Sequence, residues 1–267
     1  MITRRLFSTT LAAGAAAVMA ASAKAQDNAP AASSAAAPST AARRIRNVVL
    51  VHGLYADGSS WIDVIARLQA AGLRTTAVQN GLLSLDEDVA ATRRALARQD
   101  GPTVLVGHSF AGMIVSEAGV HPNVASLVYV AARGPDAGED YAALAARFPK
   151  APAGNGIVTT DGFIQLSEQA FLSDFASDVD PVRARALYAV QQPASTKLLA
   201  GRTTVAAWRS KPTWYQVSRN DRTINPELQR FMAARMKATT VELDSSHVSL
   251  ISHPTEIARI ILDAANA

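Results

Sequence analysis

Short apolar segments alternate with amphipathic segments along most of the chain. Six runs rich in β-branched and apolar residues predict strands at 47–51, 74–78, 103–106, 124–131, 213–217 and 239–243. Between them, apolar positions recur at helical spacing and predict helices at 59–71, 84–99, 111–120, 226–236 and 254–265. Helices that follow strands in this way provide the right-handed crossovers that parallel pairing requires. The pattern therefore predicts an α/β fold with a doubly wound, mostly parallel sheet.

The alternation stops between residues 134 and 209, after the fourth recognised strand. Helical stretches replace it at 141–147, 164–175, 181–190 and 196–199, with no strand pattern of comparable strength. We expect this segment to form a helical cap above the sheet. The chain contains no internal repeat and no second apolar core, so residues 45–267 are predicted to form one domain.

The first 44 residues differ in composition from the rest. Arg4 and Arg5 precede an apolar run at 11–21 and an Ala-Lys-Ala site at 23–25, which predicts a cleavable signal peptide at 1–25. The Arg4-Arg5 pair resembles a twin-arginine signal, with the general secretory route as the alternative. Residues 26–44 are almost all Ala, Ser and Pro, which predicts a disordered linker. The predicted location is therefore periplasmic or secreted.

Charge and cysteine content exclude several classes of function. The full chain has 26 basic and 22 acidic residues, but Arg4, Arg5 and Lys24 belong to the predicted signal, which leaves 23 against 22. This balance gives no electrostatic basis for binding nucleic acid. The absence of cysteine excludes thiolate catalysis, disulfides and cysteine-bound metals. No later apolar stretch is long enough for a membrane-spanning helix, and the oligomeric state cannot be predicted.

The strongest local motif lies where the third strand meets a helix. Ser109 stands at this turn, with Gly107 two residues before it and Ala111 two residues after it. Small neighbours at those positions permit the sharp turn that lifts a nucleophilic hydroxyl above the strand ends. The N–H of Phe110 would then face an oxyanion site at the start of the helix. We expect Ser109 to be a nucleophile, with a phosphate-binding or purely structural turn as the alternative.

A second loop at the end of the first strand supplies the other predicted oxyanion donor. His52-Gly53-Leu54 follows this strand directly, and a glycine there can present the N–H of Leu54 beside the serine turn. An ordinary strand-terminating turn is the alternative. Each such donor is typically worth about 2.7–4 kcal/mol in the transition state.

Five histidines compete for the role of general base. His247 follows the last strand in a polar loop, on the side of the sheet where strands end and where α/β folds build their sites. His52 lies in the predicted oxyanion loop, and His108 points away from the nucleophile by strand alternation. His121 and His253 each precede a proline at a helix end and are expected to be caps or surface residues. His247 is therefore the predicted base.

The acid that orients this histidine should come from another strand end. Asp221 follows the fifth recognised strand, which gives the chain order Ser, Asp, His found in serine hydrolases built on α/β sheets. Asp244 is the rival because it is close in sequence to His247. However, Asp244 stands where the last strand is just ending and is interpreted as a loop or capping group. Asp221 is therefore preferred.

Taken together, these motifs resemble the α/β-hydrolase superfamily over residues 45–265. The similarity is strongest to small bacterial hydrolases related to plant methylesterases and hydroxynitrile lyases, in the segments 51–61, 107–112, 221–226 and 245–247. It implies an α/β-hydrolase fold and a Ser-His-Asp triad that acts on esters of small acids without metal or organic cofactor. The lyases carry a lysine directly after the catalytic histidine, and Val248 occupies that position here. This departure argues against cyanohydrin cleavage.

The predicted function is hydrolysis of small, fairly apolar carboxylic esters through an acyl-enzyme. The alternatives are another acyl or carbon–carbon bond hydrolase with the same triad, and a ligand-binding protein that has lost turnover. The cap shows no charged cluster, which favours a neutral substrate. Residues predicted to line the pocket are Tyr129, Trp208 and Leu250, with Leu144, Phe163 and Phe171 as further candidates.

Overall fold

Strands alternate with helices along the first part of the fold. The computed structural model describes residues 44–267, so the predicted signal peptide and all but the last residue of the predicted linker lie outside the described residues. After a 3-10 turn at Gly58–Trp61, the helices follow the predicted order. The elements are β1 Asn47–Val51, α1 Ile62–Ala70, β2 Arg74–Val78, α2 Leu85–Ala97, β3 Thr103–His108, α3 Ala111–Ala118 and β4 Val124–Val130.

An insertion of mixed secondary structure follows β4. Its main elements are α4 Tyr141–Ala145, β5 Ile157–Thr160, β6 Phe163–Leu166, α5 Glu168–Ala170, α6 Pro181–Ala189 and β7 Ala194–Ser195. Single turns complete it at Pro152–Gly156, Phe171–Phe175, Thr196–Ala200 and Ala207–Arg209.

The insertion is not purely helical, which corrects the prediction made from the sequence. Its strands β5, β6 and β7 form a small antiparallel sheet. The helix predicted over 164–175 begins only at Glu168, because Ile164 and Leu166 alternate with Gln165 along β6 and bury one face of that strand. A three-residue alternation is too short to distinguish from helical spacing in a sequence.

The chain then returns to the central sheet. The remaining elements are β8 Thr213–Ser218, α7 Pro226–Met236, β9 Thr239–Leu243, α8 Ser249–Ser252 and α9 Pro254–Asn266. No helix of residues 44–267 combines the length and the apolar character needed to cross a membrane.

The central sheet has six strands in the order β2-β1-β3-β4-β8-β9, and every neighbouring pair is parallel. This confirms the predicted doubly wound parallel sheet. β1 and β3 lie side by side, and the chain leaves them in opposite directions across the sheet. Open α/β sheets bind ligands at such a switch point, at the carboxyl ends of the strands. The loops after β1 and β3 therefore meet at the expected place for a site.

The core lies on both faces of this sheet. All residues of β1 and β3 are buried, which explains their continuous apolar sequences. The helix α1 packs against α9, and α2 packs against α3, so that helices cover the sheet. The helix α2 begins at Ser84, whose hydroxyl accepts from the N–H of Glu87 at 3.3 Å, as the capping pattern predicts.

Candidate active site

Ser109 occupies a strained turn between β3 and α3. Its φ is 57°, in the left-handed region that non-glycine residues seldom adopt. The N–H of Ser109 donates to the carbonyl of Val130 at 3.1 Å, which ties the turn to β4. A Cβ at Gly107 would lie 2.6 Å from Val115 Cγ2 and 2.8 Å from the Ala111 carbonyl. The helix can turn back this closely on the strand only because residue 107 lacks a side chain.

Three side chains that are distant in sequence form one hydrogen-bonded chain at this turn. His247 Nε2 lies 2.7 Å from Ser109 Oγ, and His247 Nδ1 lies 2.7 Å from Asp221 Oδ2. The carboxylate can only accept, so the imidazole donates from Nδ1 and accepts the serine hydroxyl at Nε2. Ser109 and Asp221 are 6% and 5% exposed, and His247 is fully buried. The chain has the geometry of an activated nucleophile.

The Asp221 carboxylate is held by four donors. Its Oδ1 accepts from the N–H groups of Thr223 and Ile224 at 2.7 and 2.9 Å. Its Oδ2 accepts from Gln229 Nε2 at 2.7 Å as well as from His247. These bonds fix the plane of the carboxylate and therefore the orientation of the imidazole.

Asp244, the rival acid, lies elsewhere. Its side chain is 74% exposed and pairs with Arg219 at 3.1 Å. The structure thus places Asp221, and not Asp244, beside the imidazole of His247.

Two further histidines form hydrogen bonds to the backbone of the loops around the site. His108 is fully buried, and its Nε2 donates to the carbonyl of His247 at 3.0 Å, which anchors the loop after β9. Burial holds the pKa of His108 well below its usual range, so this imidazole stays neutral. His52 donates from Nδ1 to the Gly53 carbonyl and accepts at Nε2 from the N–H of Asn80, each at 3.0 Å. Burial likewise lowers the pKa of His52.

The other two histidines are remote from the serine. His121 Nδ1 accepts from the N–H of Asn123 at 3.2 Å, beside β4. His253 Nδ1 lies 2.9 Å from Ser252 Oγ, at the start of α9. Neither ring contacts Ser109 in the described structure.

The loop after β1 rests directly on the serine turn. A Cβ at Gly53 would lie 2.6 Å from Ser109 Cβ, 2.8 Å from the His108 carbonyl and 3.2 Å from Phe110 N. The N–H groups of Leu54 and Phe110 have no hydrogen-bond partner within residues 44–267. Two such donors at the loops that meet beside Ser109 match the requirement of an oxyanion hole.

A cavity of about 100 Å³ opens over Ser109. Its outer wall comes from the insertion and is formed by Ala153, Gly154, Ile157, Leu166 and Leu199. Leu54, Tyr55, Arg133, Thr223 and Ile224 complete its lining from the loops of the central sheet. The surface that a bound molecule would contact is therefore mostly apolar, with one cation.

Leu250 and Phe171 line a second, smaller cavity of about 20 Å³, which also borders Tyr55 and His108. This space is apolar and large enough for about one water-sized group. It is separate from the Ser109 cavity and borders His108, the histidine that anchors the His247 loop.

The prediction that Tyr129 and Trp208 line the pocket needs correction. Tyr129 is fully buried within β4, its hydroxyl lies 2.9 Å from Ser116 Oγ, and its ring stacks on Tyr215. Trp208 is 6% exposed, and its indole N–H donates to the carbonyl of Pro135 at 3.1 Å. Both rings are core side chains whose polar atoms are satisfied by protein partners.

The further pocket candidates also have other positions. Leu144 is buried in the hydrophobic core, and Phe163 is 38% exposed on β6. An aromatic or leucine residue in the insertion does not reveal from sequence alone which surface it faces.

Two residues of the site were not predicted from the sequence. Gln229 lies on α7, and a glutamine in a helix carries no signal that it will be buried against a carboxylate. Arg133 follows β4 at the carboxyl edge of the sheet, and that position was the available signal. Within residues 44–267, no group of three or more histidine or acidic side chains is placed to hold a metal ion.

Comparison with known proteins places the chain in a family. The model of the Alpha/beta hydrolase family matches residues 48–260. Esterase PIR7B of Oryza sativa subsp. japonica is 27% identical over 258 residues, which cover 83% of this chain and 96% of that protein.

Solved structures show the same fold. A pyrethroid hydrolase from Sphingobium faniae JZ-2 superposes with a TM-score of 0.71 at 22% identity, covering 84% of this chain and 98% of that one. The methylesterase MES16 from Arabidopsis gives a TM-score of 0.68 at 19% identity, covering 82% and 98%. The family model spans most of the chain, and these solved structures share its fold. The chain therefore belongs to the alpha/beta hydrolase family.

Proposed function

We propose that this chain is a serine hydrolase that cleaves carboxylic esters through an acyl-enzyme on Ser109. The observation that carries the proposal is the hydrogen-bonded chain from Ser109 Oγ through the His247 imidazole to the Asp221 carboxylate. The names of similar proteins support the choice of ester, since they include an esterase, a pyrethroid hydrolase and a methylesterase.

Acylation begins when Ser109 Oγ attacks the ester carbonyl carbon. His247 Nε2 takes the hydroxyl proton as the oxygen–carbon bond forms, and Asp221 stabilises the resulting imidazolium. The N–H groups of Leu54 and Phe110 bind the oxyanion of the tetrahedral intermediate. His247 then protonates the leaving alcohol, which departs with the electrons of the ester bond.

Deacylation repeats these steps with water. His247 Nε2 removes a proton from a water molecule that attacks the acyl carbonyl, and the same two N–H groups bind the second oxyanion. The imidazolium returns the proton to Ser109 Oγ as the acid leaves. One imidazole thus serves as base and as acid in each half of the cycle.

The cavity limits the size of the substrate group that binds directly over Ser109. A volume of about 100 Å³ with a mostly apolar lining suits a small acyl or alcohol group rather than a long chain. This supports the class of small, largely apolar esters.

Replacing Ser109 with alanine tests the proposal. We expect Ser109→Ala to lose turnover of a simple aryl ester and labelling by a fluorophosphonate probe. Ser210→Ala is the matched control, because Ser210 is exposed and its hydroxyl only contacts the Ala207 carbonyl at 3.3 Å. Substantial activity in Ser109→Ala would refute the assignment.

The alternatives give different outcomes in the same assay. A ligand-binding protein without turnover would leave the native chain silent towards esters. A carbon–carbon bond hydrolase would label at Ser109 but would prefer a diketone substrate over esters of matched size.

A further inference from the structure

Arg133 lines the cavity over Ser109, and its guanidinium has no anionic partner among residues 44–267. Its Nε is buried with no hydrogen-bond partner, and its Nη1 has only the sulfur of Met113 at 4.0 Å. No carboxylate of residues 44–267 lies within salt-bridge distance of the guanidinium. Arg133 is half-buried, and its buried Nε is a donor that a ligand's acceptor could satisfy.

Two aromatic rings hold the guanidinium in place. Its central carbon lies 5.2 Å from the centroid of Phe110 and 4.6 Å from that of Tyr141. Stacking of this kind orients the planar group without using its N–H donors. By contrast, Arg209 and Arg235 also contact aromatic rings, but both are paired with acids of the same surface. The N–H donors of Arg133 thus have no carboxylate acceptor among residues 44–267.

The position of Arg133 connects it to the reaction. The side chain borders the cavity over Ser109 and a larger groove of about 470 Å³ that shares Gly154, Thr223 and Ile224 with that cavity. The Arg133 backbone N–H also donates to the Ser109 carbonyl at 2.9 Å, so the two residues cannot shift independently. A molecule bound in this cavity with its carbonyl at Ser109 would therefore lie against a lining that includes Arg133.

We propose that Arg133 binds a carboxylate carried by the ester substrate itself. A guanidinium presents parallel N–H donors that match the two oxygens of a carboxylate, and the apolar surroundings strengthen the attraction. This inference rests on the proposed ester hydrolysis. It narrows the substrate class from neutral esters to small esters with an ionised acid group a few bonds from the scissile carbonyl.

The test uses two pairs of esters that differ only in charge. Monomethyl adipate and methyl adipamate carry the carboxylate or its neutral amide on the acyl side. The pair 4-acetoxybutanoate and 4-acetoxybutanamide carries them on the alcohol side. We follow hydrolysis by proton NMR and take the ratio of kcat/KM for the charged over the neutral ester. Effects of a substitution on folding or on general activity cancel in this ratio.

The native chain should prefer the charged ester in one of the two pairs, and that pair identifies the side that bears the carboxylate. Arg133→Met should lower the ratio about 10- to 100-fold, mainly through KM. Arg133→Lys should recover only part of it, since an ammonium lacks the planar fork. Arg147→Met, which removes an exposed arginine stacked on Phe231, should leave the ratio within about threefold.

Three outcomes would overturn the inference. Equal ratios in the native chain and in Arg133→Met would show that the guanidinium does not bind the acid group. An equal fall in Lys150→Met, which removes another cation of the larger groove, would assign the preference to the overall charge of that groove. If neither pair is hydrolysed and Ser109 does not label, the proposed function itself fails and the inference falls with it.

Discussion

Gln229 and His247 bind the same oxygen of Asp221. The Gln229 amide donates to Oδ2 at 2.7 Å, the same distance as His247 Nδ1. The same amide also donates to the carbonyl of Ile224, and its oxygen accepts from the N–H of Ser218 at 3.0 Å. One buried glutamine therefore joins the end of β8, the Asp221 loop and the imidazole partner.

The acid assignment predicts a contrast between two aspartates. Asp221→Asn should lower kcat by several orders of magnitude, because an amide reverses or removes the hydrogen bond that fixes the imidazole tautomer. Asp244→Asn is the matched control and should stay within about threefold, since Asp244 is 74% exposed. Steady-state hydrolysis of an aryl ester checks both, and equal losses would contradict the assignment.

Gln229 is predicted to be a positioning residue. Gln229→Met keeps the volume but leaves the Ser218 N–H without its partner and removes one of the two donors to Asp221 Oδ2, which should destabilise the fold by about 1–3 kcal/mol. We also expect kcat to fall about 10- to 100-fold, the range for residues that orient a ligand-binding group. Urea unfolding and kcat are measured together.

Glutamate at the same position gives the contrasting readout. Gln229→Glu places a second carboxylate beside the Asp221–His247 pair, which favours the imidazolium and should move the acidic limb of the kcat pH profile to higher pH. A purely structural role would lower stability in both variants and leave the shape of that profile unchanged.

Gly53 is predicted to be irreplaceable for steric reasons. In Gly53→Ala the new methyl would lie 2.6 Å from Ser109 Cβ and 2.8 Å from the His108 carbonyl, so the serine turn or the oxyanion loop must move. We expect the free energy of unfolding to fall by about 1–3 kcal/mol. We also expect kcat to fall, because the donor of the oxyanion loop is displaced. Gly101→Ala is the control, because that methyl would meet no atom within 4 Å. Thermal unfolding and ester turnover should separate the two variants.

Asp88 predicts how stability depends on pH. The carboxyl is fully buried, its Oδ2 has no partner, and burial raises its pKa from 3.8 to about 6. The folded state therefore holds the proton more tightly than the unfolded state. The contribution of the protonated carboxyl to the free energy of unfolding is complete below about pH 4 and is lost as pH rises through 6.

Asp88→Asn should remove about 1–2 kcal/mol of the stability difference between pH 4 and pH 7, after allowance for solvent screening. Asp86→Asn, an exposed acid on the same helix, should leave that difference as in the native chain. Urea unfolding at the two pH values decides between them. Identical pH dependence in Asp88→Asn would contradict the prediction.

The strand positions and the parallel sheet could be predicted from the sequence because local signals determine them. Strands such as β1 are short apolar runs that end at glycine or polar residues, and their separation by helices leaves a parallel arrangement as the only simple solution. The order Ser109, Asp221, His247 and the small residues around Ser109 likewise depend on local chemistry. These features require no knowledge of which helix packs on which strand.

The pocket lining could not be predicted because it depends on long-range packing. Tyr129 reads as a pocket aromatic, yet its hydroxyl finds Ser116 on a neighbouring helix. Arg133 was not predicted as a site residue, yet two aromatic rings contact it beside Ser109. The identity of a residue limits what it can contact, whereas the packing of distant segments determines what it does contact.

The outer wall of the Ser109 cavity comes from the segment between β4 and β8, while Ser109, Asp221 and His247 come from loops of the parallel sheet. Part of the cavity lining is thus encoded apart from Ser109, Asp221 and His247. A library randomised at Ala153, Ile157, Leu166 and Leu199 would vary which molecules enter without altering the reacting groups. An engineer could therefore vary the outer wall of the cavity while keeping Ser109, Asp221 and His247.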